Sequence, residues 1–343
     1  MTSASDKHFS IGVDLGGTNL RIAAYTQAAG ILETILLPTE HSAGPDIVVR
    51  GICDSIRQLR NKYSTEFTLM GVGMGTPGPL ELPLGRLHNL PNLPSWDGFY
   101  LRAALESCLE SPIILESDAN AAALAESALG RGRSLGVDSL CMLTLGTGIG
   151  NGIILHGKVW HGMTGMAGEA GHVTVYADGP ACGCGSNGCL EMYASATAVV
   201  RIAKQWIASG KSTSLSALQN GNDGLTARHL GEAARSGNAD AAEIFAQAGK
   251  ALGIGLAGLV NTLNLPLYVV GGGLAQSWDL MAPALFEELR HRSYVYRLTE
   301  PGKSVTSETV SGGTQVLPAE LGSESGLLGA CILPFSELEI SKR

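Results

Sequence analysis

The sequence predicts an α/β protein built from two similar lobes. Three observations predict this class: short apolar runs typical of buried strands, longer segments with apolar residues at helical spacing, and a strand–glycine turn–strand unit that occurs twice. The first unit begins at Phe9 and the second at Ser139. Because mixed strand and helix segments follow both units, an ancient duplication explains them better than two chance turns.

Composition narrows the class of protein. The 343 residues predict two or three domains at the usual ~100–200 residues each. Glycine accounts for 46 residues and aromatic side chains for only 5%, while 45% of the chain is hydrophobic, so small and aliphatic side chains must build the core. Charged residues make up 16% and are interspersed, which argues against disorder, and the net charge of -8 argues against a nucleic-acid partner.

The elements of the first lobe follow from its apolar runs. A Gly-Gly turn in the sequence DLGGTN joins the first two strands, because glycine supplies the positive φ of a tight hairpin. The predicted elements are strands at Phe9–Asp14, Leu20–Tyr25 and Ile31–Leu37, a helix at Ile47–Tyr63, a strand at Leu69–Gly75, a loop to about Asp97, a strand at Pro112–Glu116 and a helix at Ala119–Leu129.

The second lobe repeats the opening pattern and then becomes mostly helical. Its predicted elements are a strand at Ser139–Leu145, a turn at Gly146–Gly152, a strand from Ile153, helices at Met192–Ser209 and Ala241–Leu263, a strand at Leu267–Val270, a glycine turn at Gly271–Gly273 and a helix to about Arg290. The segment Pro301–Gly313 is polar and predicted to be exposed. The apolar segment Gly326–Phe335 is predicted to form a terminal helix that packs back on a lobe.

The longest apolar stretch, Ala251–Val260, is well short of the ~20 residues that a membrane-spanning helix needs. The first residues, MTSASDKHFS, lack a basic-then-apolar signal pattern. We therefore expect a cytoplasmic protein with no membrane partner. Seven cysteines, an odd number, agree with a compartment in which thiols stay reduced.

A cysteine–histidine cluster predicts a structural zinc site. His172 is followed by Cys182, Cys184 and Cys189, and three thiolates with one imidazole form a typical tetrahedral zinc ligand set. The alternative is a loop of reduced, buried cysteines, which three cysteines within eight residues make a poor explanation. Four protein ligands close the site, so the ion is expected to be structural and not hydrolytic.

The glycine turns are candidate phosphate sites. In the first turn, backbone N–H groups of Gly16 and Gly17 converge on an anion, Thr18 adds a hydroxyl donor and Asp14 can hold Mg²⁺ directly or through water. GTGIG from Gly146 and VVGGG from Val269 are further candidates. The alternative for any one of them is an ordinary hairpin. Together they favour a nucleotide held between two lobes.

These motifs resemble those of a known family. The pattern of a histidine, nine residues and then CxCGxxGCxE runs without a gap from His172 to Glu191. DLGGTN, GTPGP from Gly75, SDANAAALAE from Ser117, GTGIG and GGG agree in order and spacing. The chain resembles the ROK family of bacterial sugar kinases and repressors over nearly its whole length. The zinc signature is the specific part of this resemblance.

The resemblance implies a fold, a division into domains and an assembly. The fold is that of actin-like (ribonuclease H-like) ATPases, with two duplicated lobes, a cleft between them and the zinc-binding loop in the second lobe. The implied small N-terminal lobe comprises residues 1–118 plus about 322–343, and the larger lobe comprises residues 119–321. The family also implies a homodimer or homotetramer.

The resemblance further implies transfer of the γ-phosphate of ATP, with Mg²⁺, to O6 of a hexose, most readily glucose. Asp118 is then the general base that accepts the hydroxyl proton, although SDAN directly before a helix also reads as an N-cap. The implied ATP-binding residues are Asp14, Gly16, Gly17, Thr18, Asn19, Gly146, Thr147, Gly148, Gly272 and Gly273. The implied sugar-binding residues are Gly78, Asn92, Ser117, Asp118, Glu169, His172 and Glu191.

Two kinds of alternative remain open at this point. Asn92 could equally be a turn residue. Glu169 and Glu191 could instead be surface charges. Where the family usually has asparagine before the catalytic aspartate, this chain has Ser117, which puts glucose preference in doubt more than kinase activity. The alternative sugars are N-acetylglucosamine, N-acetylmannosamine, mannose and fructose. The phosphate donor is either ATP or polyphosphate. The rival class of protein is a sugar-sensing repressor.

Overall fold

The structure is a computed structural model that describes residues 7–17, 19–39, 44–88, 94–220, 224–302 and 312–340. The chain divides into two compact units. The first comprises residues 1–133, 152–168 and 323–343, and the second comprises residues 134–151 and 169–322.

The secondary structure mixes strands and helices, as the sequence predicts. The strands are β1 (His8–Leu15), β2 (Asn19–Thr26), β3 (Gly30–Pro38), β4 (Thr68–Thr76), β5 (Leu80–Glu81), β6 (Arg86–Leu87), β7 (Ile114–Ser117), β8 (Leu140–Leu145), β9 (Ile149–Leu155), β10 (Lys158–Val159), β11 (Leu267–Gly271) and β12 (Gln315–Pro318). The helices are α1 (Pro45–Tyr63), α2 (Leu101–Leu109), α3 (Asp118–Ala128), α4 (Arg131–Leu135), α5 (Glu191–Ala194), α6 (Ala196–Ala208), α7 (Ala227–Arg235), α8 (Ala239–Leu263), α9 (Trp278–Arg292), α10 (Tyr294–Thr299) and α11 (Ser325–Ile340).

The sheet of the first unit has the strand order β3-β2-β1-β4-β7. β1 pairs antiparallel with β2 and parallel with β4, and β4 pairs parallel with β7. The carboxyl ends of β1, β4 and β7 therefore meet at one edge of the sheet. In an open α/β sheet this is the edge at which ligands bind.

α11 lies against this sheet and against α3 through bare backbone. A Cβ atom at Gly12 of β1 would lie 2.6 Å from the backbone nitrogen of Cys331 in α11. A Cβ atom at Gly73 would meet the backbone of Ala330, and one at Gly329 would meet the backbone of Ala121 in α3. Side chains are excluded from these three positions, so α11 approaches both the sheet and α3 closely.

The second sheet has the order β10-β9-β8-β11-β12. β8 and β11 pair in parallel, as do β11 and β12, and β9 pairs antiparallel with β10. Position by position this order matches that of the first sheet, with β8 in the place of β1 and β11 in the place of β4. The repeated topology agrees with the duplication that the two glycine turns predict.

Three boundaries differ from the prediction. β9 begins at Ile149, inside the segment predicted as a turn. The helix predicted over Met192–Ser209 is two helices, because Ser195 ends α5 and caps α6 by accepting a hydrogen bond from the amide of Ala198. α3 belongs to the first unit, whereas the predicted division falls at residues 118 and 119. Its contacts with α11 and β4 account for this placement.

α8 is long and apolar enough to cross a membrane by length and composition alone. Within the unit, however, 56% of its most apolar window is buried, as in the core helix of a globular protein. Gly249 and Gly253 lie one turn apart and face α9, where a Cβ atom would meet the backbone of Met281 or Leu285. Small residues at this contact let the two helices pack closely.

The α8–α9 contact can be tested with one pair of substitutions. We expect Gly249→Ala to lower the free energy of unfolding by about 1–3 kcal/mol, because the added methyl group forces the helices apart. Gly258→Ala is the matched control, since a Cβ atom there meets nothing within 4 Å and alanine favours the helix by up to about 1 kcal/mol. Urea denaturation measures both. Equal effects of the two substitutions would contradict this packing.

Candidate active site

Asp118 is the first residue of α3 and its side chain is exposed. Ser117 caps the helix, since its hydroxyl oxygen accepts a hydrogen bond from the amide of Asn120 at 3.2 Å. The Oδ1 atom of Asp118 accepts one from the amide of Ala119 at 2.7 Å. The N-cap therefore belongs to Ser117, which leaves the Asp118 carboxylate accessible at the edge of the first sheet.

A buried acid precedes this pair, and sequence reasoning missed it. Glu116 is 3% exposed and its Oε1 atom accepts hydrogen bonds from the Ser117 amide and the Asn120 side chain, each at 2.9 Å. Its Oε2 atom lies 2.6 Å from Nε2 of His161. Glu116 belongs to the motif around Asp118, but its partner is 45 residues away, and no local pattern reveals such a pair.

Asp14 lies at the carboxyl end of β1, on the same edge of the sheet. Arg21 is its cross-strand partner in β2 and donates from Nη2 to Asp14 Oδ2 at 2.7 Å and from Nε to the same atom at 3.1 Å. Arg21 also donates to Glu324 at 2.9 Å. One oxygen of Asp14 is thus engaged by a guanidinium group, and Oδ1 is the atom that faces Gly326.

The first glycine turn joins β1 and β2. The amide of Gly16 donates to the carbonyl of Asn19 at 2.9 Å, and the hydroxyl of Thr39 donates to the carbonyl of Gly16 at 2.8 Å. A Cβ atom at Gly16 would lie 2.8 Å from the Asn19 carbonyl oxygen, so the turn requires glycine there. Gly17 lies in the same turn, and Gly78 follows β4 at this edge of the sheet.

The second glycine turn, Gly146–Gly148, follows β8 in the second unit. The amide of Gly146 donates to the carbonyl of Gly148 at 3.0 Å, and the carbonyls of Gly146 and Thr147 accept hydrogen bonds from Ala196 and Thr197 at the start of α6. A Cβ atom at Gly148 would lie 2.9 Å from the Glu191 carboxylate. The start of α6 therefore anchors the turn, and the Glu191 carboxylate lies against Gly148.

The third glycine turn follows β11, which pairs with β8. Gly272 has a φ of 86°, and a Cβ atom there would lie 2.5 Å from the carbonyl oxygen of Leu145. Both constraints demand glycine at this position. Gly273 is open, since a Cβ atom there meets nothing within 4 Å. The second and third turns thus lie together at the carboxyl edge of the second sheet.

A cavity of about 690 Å³ lies beside the second turn, within the second unit. Its volume is in the usual range for small-molecule sites, ~300–1,000 Å³. A smaller cavity of about 210 Å³ reaches Gly273, and Ala227 lines both. The larger cavity is lined by Thr147, Ala196, Thr197, Val200, Arg201, Lys204, Gln205, Ala208, Leu225, Thr226 and Ala227. An apolar wall with nearby cations suits a flat ring that carries an anionic group.

The predicted metal ligands form one cluster. One ligand atom each from His172, Cys182, Cys184 and Cys189 lies within 4.8 Å of the others. Sγ of Cys182 lies 3.6 Å from Nδ1 of His172, and Sγ of Cys184 lies 3.6 Å from Sγ of Cys189. Around a tetrahedral zinc ion two sulfur atoms lie about 3.8 Å apart, and a sulfur and a nitrogen about 3.5 Å apart. The ligand set and its spacing therefore fit such an ion.

Of the three predicted sugar-binding residues of the second unit, His172 belongs to this cluster, and Glu169 and Glu191 lie beside it. Nδ1 of His172 faces Cys182, while its Nε2 lies 3.9 Å from Glu169. Glu191 accepts a hydrogen bond from Sγ of Cys182 at 3.1 Å and lies 3.6 Å from Nδ1 of His172. The pKa of Glu169 is raised, chiefly because burial disfavours its charge, with His172 lowering it and Glu191 raising it. The imidazole thus links the cluster to an acidic side chain.

The remaining predicted site residues, Thr18 and Asn92, lie outside the described residues. The first unit places Asp14, Gly78 and Ser117–Asp118 at one edge of its sheet. In the second unit, the metal cluster and the second glycine turn both lie against Glu191. The location of the nucleotide between two lobes stays a prediction.

Comparison with known proteins shows the family. The sequence profile of the ROK family matches residues 10–336. The chain is 34% identical over 327 residues to a glucokinase of Halalkalibacterium halodurans, an alignment that covers 95% of this chain and 94% of that protein. The chain belongs to the ROK family.

Solved structures show the same fold. A ROK hexokinase from Thermus thermophilus matches with a TM-score of 0.75 and 32% identity, over 97% of this chain and 99% of that one. A ROK glucokinase from Streptomyces griseus, solved with glucose and AMPPNP, matches with a TM-score of 0.73 and 33% identity, over 95% and 98%. The predicted α/β fold and the predicted family are confirmed, whereas the zinc-binding loop and the cleft stay predictions.

The cluster predicts one tightly held metal ion per chain. We expect Cys184→Ser to lower the bound metal several-fold and to destabilise the protein, because the set of four ligands becomes incomplete. Elemental analysis of the purified protein and thermal unfolding measure the two effects. Cys108→Ser is the control, since Cys108 lies outside the cluster. A stable Cys184→Ser protein with unchanged metal content would contradict the assignment.

Proposed function

We propose that this protein is an ATP-dependent sugar kinase that phosphorylates a hexose at O6, with glucose as the first candidate. The observation that carries the proposal is Asp118, an exposed carboxylate at the first position of α3, in a chain that matches the ROK family over residues 10–336. The glucokinase and hexokinase relatives support the choice of a hexose. A catalytically inactive sugar-binding protein would not need this carboxylate.

Asp118 acts as the general base. The sugar hydroxyl gives its proton to the Asp118 carboxylate as the oxygen attacks the γ-phosphorus of ATP, and the bond to the β-phosphate oxygen breaks to release ADP. The hydrogen bond from the Ala119 amide fixes one carboxylate oxygen. Exposure of Asp118 within its unit supports this role, because the base must reach a ligand.

The glycine turns hold the nucleotide. The amides of Gly16 and Gly146 close the two turns themselves, so the other backbone N–H groups of these turns bind the phosphate oxygens. The cavity beside Thr147 takes the base and ribose, which supports a nucleotide donor over polyphosphate. Mg²⁺ that travels with ATP needs only one or two protein carboxylates, and Oδ1 of Asp14 is the atom that would serve.

The cysteine–histidine cluster is a structural zinc site that orients a substrate ligand. His172, Cys182, Cys184 and Cys189 would hold the zinc ion, and use of Nδ1 of His172, the ring nitrogen that faces Cys182, would leave its Nε2 for the substrate. Nε2 of His172 and the carboxylate of Glu169 then form a donor and acceptor pair for sugar hydroxyls. Glu191 is a further acceptor beside them.

Ser117 is the position at which this chain departs from the family. Its oxygen is used as the N-cap of α3, but its hydroxyl hydrogen remains available as a donor. A serine offers fewer sugar contacts than an asparagine amide, so we propose that it sets the ranking among hexoses. N-acetylglucosamine, N-acetylmannosamine, mannose and fructose are the alternatives to glucose.

One assay tests the proposed function. ADP release is measured by a coupled assay with ATP and each of these sugars, and then with polyphosphate in place of ATP. ATP-dependent turnover with glucose supports the proposal, and turnover with another sugar reassigns the substrate. Absence of turnover with every sugar and either donor overturns it. The cytoplasmic location and the homodimer or homotetramer stay predictions.

Asp118→Asn tests the base. Asparagine keeps the acceptor for the Ala119 amide but cannot take a proton, so we expect kcat to fall by about 10²–10⁴-fold while the fold is retained. Steady-state kinetics and thermal unfolding measure the two effects. Asp54→Asn, on the exposed face of α1, is the matched control. Turnover of Asp118→Asn near that of the parent would reject the role.

Ser117→Asn tests sugar choice. Asparagine is also a good N-cap, so α3 should keep its start while the site gains an amide. We expect the ratio of kcat/KM values between glucose and an N-acetylhexosamine to change by about 10-fold, the size of one altered hydrogen bond. The same sugar panel measures it. An unchanged ranking would mean that the specificity lies elsewhere.

A further inference from the structure

A buried acid and a histidine join two segments of the first unit beside Asp118. The side chain of Glu116 is only 4% exposed, and each of its oxygens has a defined partner. Oε1 accepts hydrogen bonds from the Ser117 amide and from Nδ2 of Asn120, which brackets the first turn of α3. Oε2 lies 2.6 Å from Nε2 of His161, on the segment that follows β10.

His161 begins a closed loop. Its carbonyl accepts a hydrogen bond from the amide of Ala167 at 3.1 Å, so residues 161–167 form a compact turn. A Cβ atom at Gly165 would meet Leu82, which shows that the loop packs tightly on the first unit. The loop runs directly into Gly168 and Glu169. His161 therefore lies at the base of the segment that leads to a proposed sugar-binding acid.

We propose that Glu116 and His161 form a positioning pair that fixes the first turn of α3, and with it Asp118, relative to loop 161–167. The inference rests on the proposed kinase function. Neither residue touches substrate in this scheme. The pair holds the general base at the angle that proton transfer needs.

The chemistry of the pair favours this role over packing alone. A buried carboxylate is stable only when its oxygens are hydrogen-bonded, and two of these bonds come from Ser117, directly before Asp118, and from Asn120, two residues after it. Loss of the imidazole frees Oε2 of Glu116, so the carboxylate is able to rotate and release the helix start. A misplacement of about 1 Å at a reacting group is enough to slow a reaction by about 100-fold.

The test compares two substitutions of His161. His161→Phe removes the polar partner, and we expect kcat to fall by about 10- to 100-fold while KM for sugar and ATP changes by less than about threefold. His161→Gln keeps a side-chain N–H for Glu116 and is expected to restore kcat to within about threefold of the parent. His291→Phe, on the exposed face of α9, is the matched control and leaves kcat unchanged.

A double-mutant cycle separates a pair from two independent residues. Glu116→Gln keeps an acceptor for Ser117 and Asn120 but loses the charge that faces His161. If the two residues act together, the double variant with His161→Phe has about the kcat of the worse single variant. The proposal would be overturned if the two single reductions in kcat multiplied in the double variant. It would also be overturned by an unchanged kcat in His161→Phe, or by a His161→Gln protein as slow as His161→Phe.

A measurement that needs no enzymatic turnover tests the Glu116–His161 pair independently of kinase activity. Hydrogen–deuterium exchange of the peptide covering residues 116–120 is compared in the parent and the variants. Faster exchange in His161→Phe, but not in His161→Gln, supports the positioning pair, and equal exchange overturns it. If the parent phosphorylates no sugar, the kinase proposal fails, and the exchange data alone decide whether the pair fixes the start of α3.

Discussion

The first unit depends on close backbone contacts that α11 makes with the sheet and with α3, at positions where only glycine fits. Gly12 and Gly73 in the sheet and Gly329 in α11 face main-chain atoms of the opposing element. Any side chain at these positions would push the layers apart. Because α3 packs on α11 and begins at Asp118, the placement of the candidate base depends on contacts far from it in the sheet.

Backbone without side chains also has a role in how this acidic protein is proposed to bind a polyanion. Its net charge of -8 repels phosphates at long range, so attraction must be local. Backbone amides at the glycine turns supply such local donors, and Arg21 offsets the charge of Asp14 beside the first of them. Apolar and cationic side chains line the cavity at the second turn. Glycine thus serves both the core and the candidate site.

Much of this organisation could be predicted from the sequence, and the failures have physical causes. Long helices rich in apolar residues, such as α3 and α8, can be recognised from the sequence. α7 and β12 went unpredicted because the first is short and highly charged and the second is a four-residue strand that depends on pairing with β11. The break at Ser195 is a single capping event inside an otherwise helical pattern. The contact of Glu116 with His161 exists only once the chain has folded.

The position of α11 also constrains how the chain acquires its fold during synthesis. Strands β1 and β4 lie in the first quarter of the sequence, yet the helix that covers them spans Ser325–Ile340. During synthesis, α11 therefore cannot cover the glycine face of the first sheet until all of the second unit has been made. A chain that stops before α11 leaves that face open. Completion of the first unit thus requires synthesis through Ile340, the end of α11.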